Sequence, residues 1–465
     1  MLPIVTPDEM RAIDAAAPEP ADVLIERAGW AVARTATRML GGTYGRTVHV
    51  IVGHGNNGAD GRVAARILSA RGAAVQVYPV DELPEVLGAA DLVIDAAFGT
   101  GFHGTWRPPD VGDSPVLAVD IPSGVDARTG AATEGGVLAA DRTVTFAALK
   151  PGQLFPPGRD LVGEIEVADI GLDAGFDARF ESGTASAHLL EADDVAAWLP
   201  WRSSNAHKWG AAVRVIAGSP TMQGAAALAA AGAQRAGAGI VHVSTPGVGD
   251  AGRLPLEAVL RPLPPAGWAG EALRSFDRFH ALVLGPGLGR NDDTAASTRH
   301  VAVNSPLPVV IDGDGLFALA WNADGAAALL RRRESPTVLT PHDGEYEMLT
   351  GTRPGLDRIA AARRLAADAQ CVVLLKGPAT VVAQADGQVL VVTAGDERLA
   401  TAGTGDVLAG IIGAFMAMKI EPFEAAAMAA WVHGRAAMAG TAVGFVAGDL
   451  PALLPAVLVE LRGRA

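Results

Sequence analysis

Thr401-Ala402-Gly403-Thr404-Gly405-Asp406-Val407-Leu408-Ala409-Gly410 joins a glycine-rich turn to an apolar run and sets one carboxylate at the junction. Gly403 and Gly405 let the backbone turn with positive φ and bring bare N–H groups close to a ligand, while the positive end of the following helix points at the same spot. An anion fits there. Asp406, in the first helical turn, can take the proton of a hydroxyl attacking phosphorus while the amides stabilise charge on the transferring group. The competing reading is an Asp that only favours a helix start.

Other polar clusters terminate apolar runs in the second half of the chain. They are Gly285-Pro286-Gly287-Leu288-Gly289, Asp312-Gly313-Asp314-Gly315, Thr340-Pro341-His342-Asp343-Gly344-Glu345 and Leu375-Lys376-Gly377-Pro378-Ala379-Thr380. A parallel sheet would converge such strand ends on one cleft. The first half has three loops rich in Gly, Asn and Asp, over 53–61, 95–105 and 120–130. Gly53-His54-Gly55-Asn56-Asn57-Gly58 matches G-x-G-x-x-G, with Asp81 as a candidate acid beyond the second strand, but the doubled Asn and the following Ala59-Asp60-Gly61 point away from a dinucleotide fingerprint.

The elements that must hold these groups follow from periodicity. In the first half a helix is expected over 24–40 and another over 60–71, with strands over 46–53, 74–80, 92–95, 116–120, 142–146 and 164–167. The pattern fades between 181 and 210, and the domain boundary is placed near Ser203. A second alternation has strands over 213–217, 240–244, 281–284, 309–312, 337–339, 372–375 and 381–383. Helices are expected over 225–236, 406–418 and 425–439, the last two closing the domain. Strands separated by helices give an α/β fold with two doubly wound domains, 1–203 and 204–465, the first Rossmann-like. Arg331-Arg332-Arg333-Glu334 is expected to be a solvated helix end.

Composition narrows the classes of function. The 465 residues exceed what one core organises, and they are 49% hydrophobic and 19% charged. A formal charge of −14 argues against nucleic acid and anionic membrane surfaces as partners. The single Cys371 lies in an apolar run and is expected to be a core thiol, which excludes a disulfide framework and fits a reducing compartment. The N-terminal residues lack the apolar centre of a signal peptide, and no apolar stretch is long enough to span a bilayer. A soluble cytoplasmic protein is expected, assembling as a homo-oligomer with small-molecule nucleotides as ligands.

From about His207 onward the chain resembles the ribokinase-like α/β fold, and within it the ADP-dependent NAD(P)H-hydrate dehydratases. The resemblance rests on Gly218-Ser219, Gly285 to Gly289, Thr340-Pro341-His342 with Gly344-Glu345, Leu375-Lys376-Gly377 and Gly403-Thr404-Gly405-Asp406. It implies that Lys376, Gly377, Pro378, Ala379 and Thr380, with Ala402, Gly403, Thr404 and Gly405, hold ADP and its Mg2+. It also implies that Ala225, Gly289, His342 and Asp406 contact the hydrated nicotinamide, with Asp406 as the base. Two departures stand out: Asp396-Glu397-Arg398 replaces the family's Asn-Pro-Gly, bringing carboxylates near a polyanion, and Ala402-Gly403 replaces a Gly-Gly pair.

Residues 1 to about 203 are similar to the NAD(P)H-hydrate epimerase domain. Asn56-Asn57-Gly58-Ala59-Asp60-Gly61 lies close to its Asn-Asn-Gly-Gly-Asp-Gly signature. Ile25-Glu26-Arg27-Ala28-Gly29, Asp95-Ala96-Ala97-Phe98-Gly99-Thr100-Gly101 and Val119-Asp120-Ile121-Pro122-Ser123-Gly124-Val125-Asp126 agree with it. The resemblance implies that Asn56, Asn57, Gly58, Ala59 and Asp60, with Gly99, Thr100, Gly101, Phe102, His103, Gly104, Thr105 and Asp120, bind an NAD(P)H hydrate. It further implies K+ ligation by Asn57, Asp95 and Ser123, whose hard oxygen donors suit such a cation. Asp120 is the expected proton-transfer group, with Lys150 as its partner. A repair enzyme that epimerises and dehydrates nicotinamide hydrates is the function this predicts. The alternatives are an ATP-dependent kinase of a small hydroxyl compound with a regulatory N-terminal domain, and a nucleotide sensor without turnover.

Overall fold

A computed structural model describes residues 1–174, 185–250, 252–274 and 276–464. Two compact units divide the chain, Leu2–His188 and Leu189–Ala465. The division falls before Ser203 because the helix Ala192–Trp198 buries Val195 and Ala196 and packs on the helices Pro422–Met438 and Leu450–Arg462. Residues 175–184, in the stretch where the periodicity fades, lie outside the described residues.

The N-terminal unit is built on a parallel sheet. Its strands run in the order Ala74–Pro79, Thr47–Val52, Leu92–Ala96, Val116–Val119, Arg142–Phe146 and Glu164–Ala168. Val, Ile and Leu dominate the inner strands because a parallel sheet is covered on both faces. On one face the helices Ala21–Leu40 and Asn56–Ala70 bury Val32, Ala36, Ala64 and Leu68 against Val48, Val50 and Ile94. The other face is covered by loop residues, with Trp106, Leu87 and Leu138 packed on Ile51, Val93 and Val116. The chain reverses its direction of travel across the sheet between Thr47–Val52 and Leu92–Ala96, so a crevice opens beyond Val52 and Ala96, where ligands collect in such sheets.

The second helix starts at Asn56, four residues before the sequence pattern places it. A Cβ at Gly58 would collide with the Gly53 carbonyl, so only glycine lets the helix begin directly against the strand end. Its first two turns therefore carry Asn56, Asn57 and Asp60 on a rigid element.

The C-terminal unit orders its strands Val389–Val392, Thr380–Ala383, Val372–Leu375, Thr337–Leu339, Val309–Ile311, Ala281–Leu284, Ala212–Ile216, Ile240–Ser244 and Val259–Leu260. All pairs are parallel up to Val372–Leu375, after which a hairpin adds two antiparallel strands. Here the switch point lies between Ala212–Ile216 and Ala281–Leu284, and the loops at Gly218 and 285–289 leave it. Helix Thr404–Ala417 is buried along nearly its whole length and packs on Gln223–Arg235. Beyond the two apolar closing helices a third follows, Leu450–Arg462. Its Pro451 sits in the first turn, where no N–H is needed, and the ladder bond missing at Pro455 is offset by burial of Leu454, Val457 and Leu461.

Two sequence expectations meet the structure differently. Cys371 is a free buried thiol with its pKa pushed up to about 12 by burial, as a core role requires. Arg333 is not a solvated helix end: its guanidinium donates to the carbonyls of Ala302, Ser305 and Leu307. It closes carbonyls at the end of helix Asp292–Asn304, a structural task that a charge count does not reveal.

Candidate active sites

In the N-terminal unit a cleft of about 650 Å3 opens at the strands' carboxyl ends. Its wall includes Asn56, Asn57, Asp60, Gly99, Thr100, Gly101, Phe102, His103, Asp120 and Lys150 from the expected set. Gly58, Ala59, Gly104 and Thr105 are not on that wall; Gly58 and Ala59 follow the helix away from the opening. Met10, Asp14, Leu24, Ile25, Phe146, Ile170 and Leu172 also line it and were not anticipated as site residues. The signal for Asp14 was its place after Met10 and Ile13, which fix the inner face of helix Pro7–Ala15.

Asp120 follows strand Val116–Val119 with φ of 67°, a left-handed conformation costly for a residue with a Cβ. Its backbone is held by the Asp120 N–H donating to Val144 O at 2.7 Å and Gln153 Nε2 donating to Asp120 O at 2.7 Å. Lys150 Nζ donates to Asp120 Oδ1 at 2.6 Å and to Thr145 Oγ1 at 2.7 Å, with Phe146 O and Ala148 O at 3.1 and 3.2 Å. Thr145 Oγ1 donates to the same Oδ1 at 3.1 Å. One carboxylate oxygen is thus saturated, and a Cβ built on Gly99 would lie 3.4 Å from the other, Oδ2, beside the cleft. Asp60 is buried, and burial first, then Asp120 and Asp14, push its pKa up to about 8. The cleft therefore pairs a Lys-bound carboxylate with a carboxyl that keeps its proton at neutral pH.

Asp95 is fully buried, and burial raises its pKa although Ser123 Oγ donates to Oδ1 at 2.6 Å, Ser123 N–H to Oδ2 at 2.8 Å and Ala97 N–H to Oδ1 at 3.2 Å. The Phe98 N–H donates to Ser123 Oγ at 2.9 Å, which ties this pair to the loop bearing Gly99. Asn57 stands beside Gly99 together with Asp120 Oδ2, its Cβ and Cγ 3.5 Å from where a Cβ on Gly99 would be, and its buried Oδ1 and Nδ2 have no hydrogen-bond partner among the described residues. His54 is bonded to Asp81 at 2.7 Å on the surface, so Asp81 is engaged in a loop contact.

In the C-terminal unit the carboxyl ends gather a second constellation. Gly403 caps helix Thr404–Ala417 with φ of 95°, the conformation the turn needs glycine for. Thr404 Oγ1 donates to Leu399 O and Thr401 O, and buried His433 meets Thr404 O at 3.0 Å, fixing the turn. Asp406 projects beside it without a hydrogen bond or ion pair to any described residue. Burial, with Asp312, Asp314 and Glu345 adding and Lys376 opposing, pushes its pKa up to about 7.

Lys376 Nζ lies 2.9 Å from Asp312 Oδ1 and 3.4 Å from Glu345 Oε2. Burial works against its charge, but these two carboxylates outweigh it and hold its pKa above the ordinary lysine value. Thr340 Oγ1 donates to Asp312 Oδ1 at 2.7 Å. A Cβ on Gly405 would be 3.5 Å from Lys376 Nζ and 3.7 Å from Asp312 Oδ2, so lysine, aspartate and glycine turn share one spot.

The remaining candidates distribute unevenly. Gly289 donates its N–H to Asp314 Oδ2 at 2.9 Å, and Ala225 touches the same loop, its Cβ 2.7 Å from where a Cβ on Gly287 would stand. His342 caps its own helix, Nδ1 accepting from Gly344 and Glu345 N–H at 3.0 and 3.2 Å, while Nε2 lies 3.6 Å from Glu345 Oε1. Lys376 to Thr380 form the turn between two antiparallel strands; Pro378 has no N–H to offer and the Ala379 side chain is buried, so a phosphate would be held there by Lys376 and the other amides. Ala402 is exposed at the turn's mouth. Asp396 is partly neutralised, since Arg398 lies 3.4 Å away and is anchored on Ala437 O at 2.9 Å.

Together these features define a two-unit α/β enzyme, with an acid–base cleft in one unit and a lysine–carboxylate anion turn in the other. Residues 213–457 match the family described as NAD(P)H-hydrate dehydratase, and residues 21–88 and 78–152 match the YjeF-related protein N-terminus family. The bifunctional NAD(P)H-hydrate repair enzyme of Moorella thermoacetica is 36% identical, covering 99% of this chain and 97% of its own length. The one from Mycobacterium tuberculosis is 38% identical over 90% of each chain. Among solved structures, the ADP/ATP-dependent NAD(P)H-hydrate dehydratase of Bacillus subtilis, co-crystallised with ATP and Mg2+, aligns at TM-score 0.51 with 31% identity, over 59% of this chain and 98% of its own. A ribokinase-like superfamily protein of Enterococcus faecalis, 23% identical, aligns at TM-score 0.53 over 59% of this chain and 96% of its own, which supports the fold. The chain belongs to the family of bifunctional NAD(P)H-hydrate repair enzymes.

Proposed function

We propose that the N-terminal unit interconverts the R and S hydrates of NADH and NADPH, and that the C-terminal unit dehydrates the S hydrate with ADP as phosphoryl donor. The observation that carries this reading is the unpartnered Asp406 carboxyl beside a glycine turn and Lys376, with its pKa near neutrality. A hydrate carries its hydroxyl on the carbon bonded to the ring nitrogen, whose lone pair can push that oxygen out. Asp60, protonated, and Asp120, held by Lys150, can give a proton to and take one from the leaving oxygen as the centre opens and recloses.

Dehydration needs a better leaving group than hydroxide. Asp406 takes the hydroxyl proton, the oxygen attacks the terminal phosphorus of ADP, and AMP departs. The phosphate ester then leaves with the C–O electron pair while nitrogen's lone pair forms the C=N bond. Loss of the neighbouring ring proton restores the double bond, giving NAD(P)H, AMP and phosphate. Lys376 and the 403–405 amides neutralise charge on the transferred group.

Asn57, Asp95 and Ser123 fit K+: the donors are hard oxygens, and the Asn57 amide is buried without a partner. That ion would fix the 95–99 loop against the cleft. No set of three His, Cys, Asp or Glu converges as a metal site among the described residues, so Mg2+ is best held by the nucleotide's own phosphates and water. We further infer a cytoplasmic homo-oligomer; no described helix is long and apolar enough to cross a membrane.

The test incubates the purified chain with mixed hydrates and either ADP or ATP and follows recovery of reduced-nicotinamide absorbance. Complete recovery of both epimers with ADP is expected. Recovery of one epimer alone rejects the epimerase assignment, and a strict ATP requirement with an accumulating phosphorylated product points to a kinase.

A further inference from the structure

A second cleft, of about 590 Å3, lies in the C-terminal unit away from the catalytic turn. It is walled by Ala211 before strand Ala212–Ile216, Gly237 and Gly239 before strand Ile240–Ser244, Met418 after helix Thr404–Ala417, and the segment 200–208. These are the amino ends of strands whose carboxyl ends carry Gly218 and the catalytic loops, so the sheet separates the two sites. The chain is acidic overall, yet none of the thirteen lining residues is Asp or Glu, while Arg202, His207 and Lys208 are among them.

Their charges are not consumed by ion pairs. Arg202 donates only through Nη2, to Gly237 O at 2.6 Å and Ala238 O at 3.2 Å, which aligns the guanidinium along the cleft wall. No described residue pairs with the Lys208 or His207 side chain. Next to Lys208, Trp209 has Arg278 3.6 Å above its ring and His242 at 5.6 Å, and Arg261 Nε donates to His242 Nδ1 at 3.1 Å. Burial, then Arg261, Arg214, Arg278 and Lys208, drive His242 down to about 4, and none of these four cations forms an ion pair with a described residue, so positive charge gathers on this side of the unit. Such a field attracts anions, and Arg202, His207 and Lys208 stand exposed at the cleft to meet them. Trp201 stands half-exposed at the cleft, with Arg462 5.3 Å over its ring.

We propose that this cleft is a second binding site for a phosphate-bearing nucleotide, with Arg202, His207 and Lys208 on the phosphate and Trp201 against the base. Volume favours a nucleotide over a free ion, since pockets of this size enclose whole small molecules. Arginine beside lysine suits a phosphate through forked and single donors. The inference does not depend on the reaction proposed above, because it uses none of its residues.

The test is calorimetric titration of the full chain with AMP and, separately, with inorganic phosphate, for the wild type, Arg202→Ala/Lys208→Ala, Lys208→Gln and Trp201→Phe. Two classes of AMP site are expected in the wild type. The double variant and Lys208→Gln should each weaken one class at least tenfold, while dehydration at saturating substrates stays within about twofold. Trp201→Phe should weaken AMP at that class and leave phosphate unchanged. Identical AMP stoichiometry and affinity in all four proteins overturns the proposal, as does a wild type with a single class. Phosphate binding at the cleft without AMP binding also overturns it.

Discussion

Lys150 Nζ stands 2.6 Å from Asp120 Oδ1 at a position where the lysine is only 1% exposed. The ammonium is spent on four acceptors, so its part is to hold the Asp120 side chain in place through Oδ1, with Oδ2 beside the cleft. Lys150→Met should lower epimerisation at least tenfold and cost about 3–5 kcal/mol of stability, because it strands a carboxylate inside the fold. Adding Asp120→Asn should recover most of that stability and none of the activity. Urea unfolding of the single and double variants checks it: equal losses would show that pairing is not the cause.

If Asp406 is the base proposed above, its pKa of about 7 makes the rate of dehydration rise with pH through that value. Stability has the opposite sign. A carboxyl raised in the folded state binds its proton more tightly there than in the unfolded chain, so its contribution is present below the ordinary aspartate value and is lost as pH climbs to about 7. Asp406→Asn should therefore abolish dehydration, spare epimerisation, and raise the Tm more at pH 8 than at pH 5. A Tm gain independent of pH would remove the titration argument.

Lys376 is the single cation set among Asp312, Glu345 and Asp406 at this spot. Removing it as Lys376→Met leaves these carboxylates to repel one another, which raises the Asp406 pKa further. The acid limb of the dehydration pH profile should shift to higher pH, with kcat falling about 100-fold or more as the phosphoryl group loses its counter-charge. Epimerisation should not change. A profile that falls in height without moving would confine Lys376 to nucleotide binding.

Both sheets were legible because parallel strands buried on two faces read as unbroken Val, Ile and Leu runs, and the clefts because Gly, Asn and Asp cluster where such strands end. Sequence reasoning misplaced what depends on close approach. The helix start at Asn56 is set by the room that Gly58 gives the Gly53 carbonyl, and no periodicity reports it. Helix Leu450–Arg462, which holds Pro451 and Pro455, was not expected beyond the helix over 425–439. Asp14 enters its cleft from a short N-terminal helix far off in sequence, and Arg333 looked like surface charge until the carbonyls it binds came together in three dimensions.

The Asn57 amide offers the sharpest test of cation binding. Its Oδ1 and Nδ2 are buried and bonded to no described residue, an arrangement that costs about 1–3 kcal/mol unless a ligand satisfies it. The neighbouring Asp95–Ser123 pair brings carboxyl and hydroxyl oxygens to the same loop, so a monovalent cation bound there would satisfy the orphaned Asn57 oxygen. Replacing choline chloride with KCl at constant ionic strength should raise the Tm of the N-terminal unit, by up to about 2.7 kcal/mol of stabilisation at a hundred times the dissociation constant. Asn57→Leu removes the orphaned oxygen without a large loss of volume, and should abolish the KCl effect while leaving the Tm in choline equal or higher. Asp95→Asn should also abolish it, but at a lower Tm, since the bonds from the Ser123 and Ala97 N–H groups lose their charged acceptor. An undiminished KCl shift in Asn57→Leu would mean that the cation binds elsewhere.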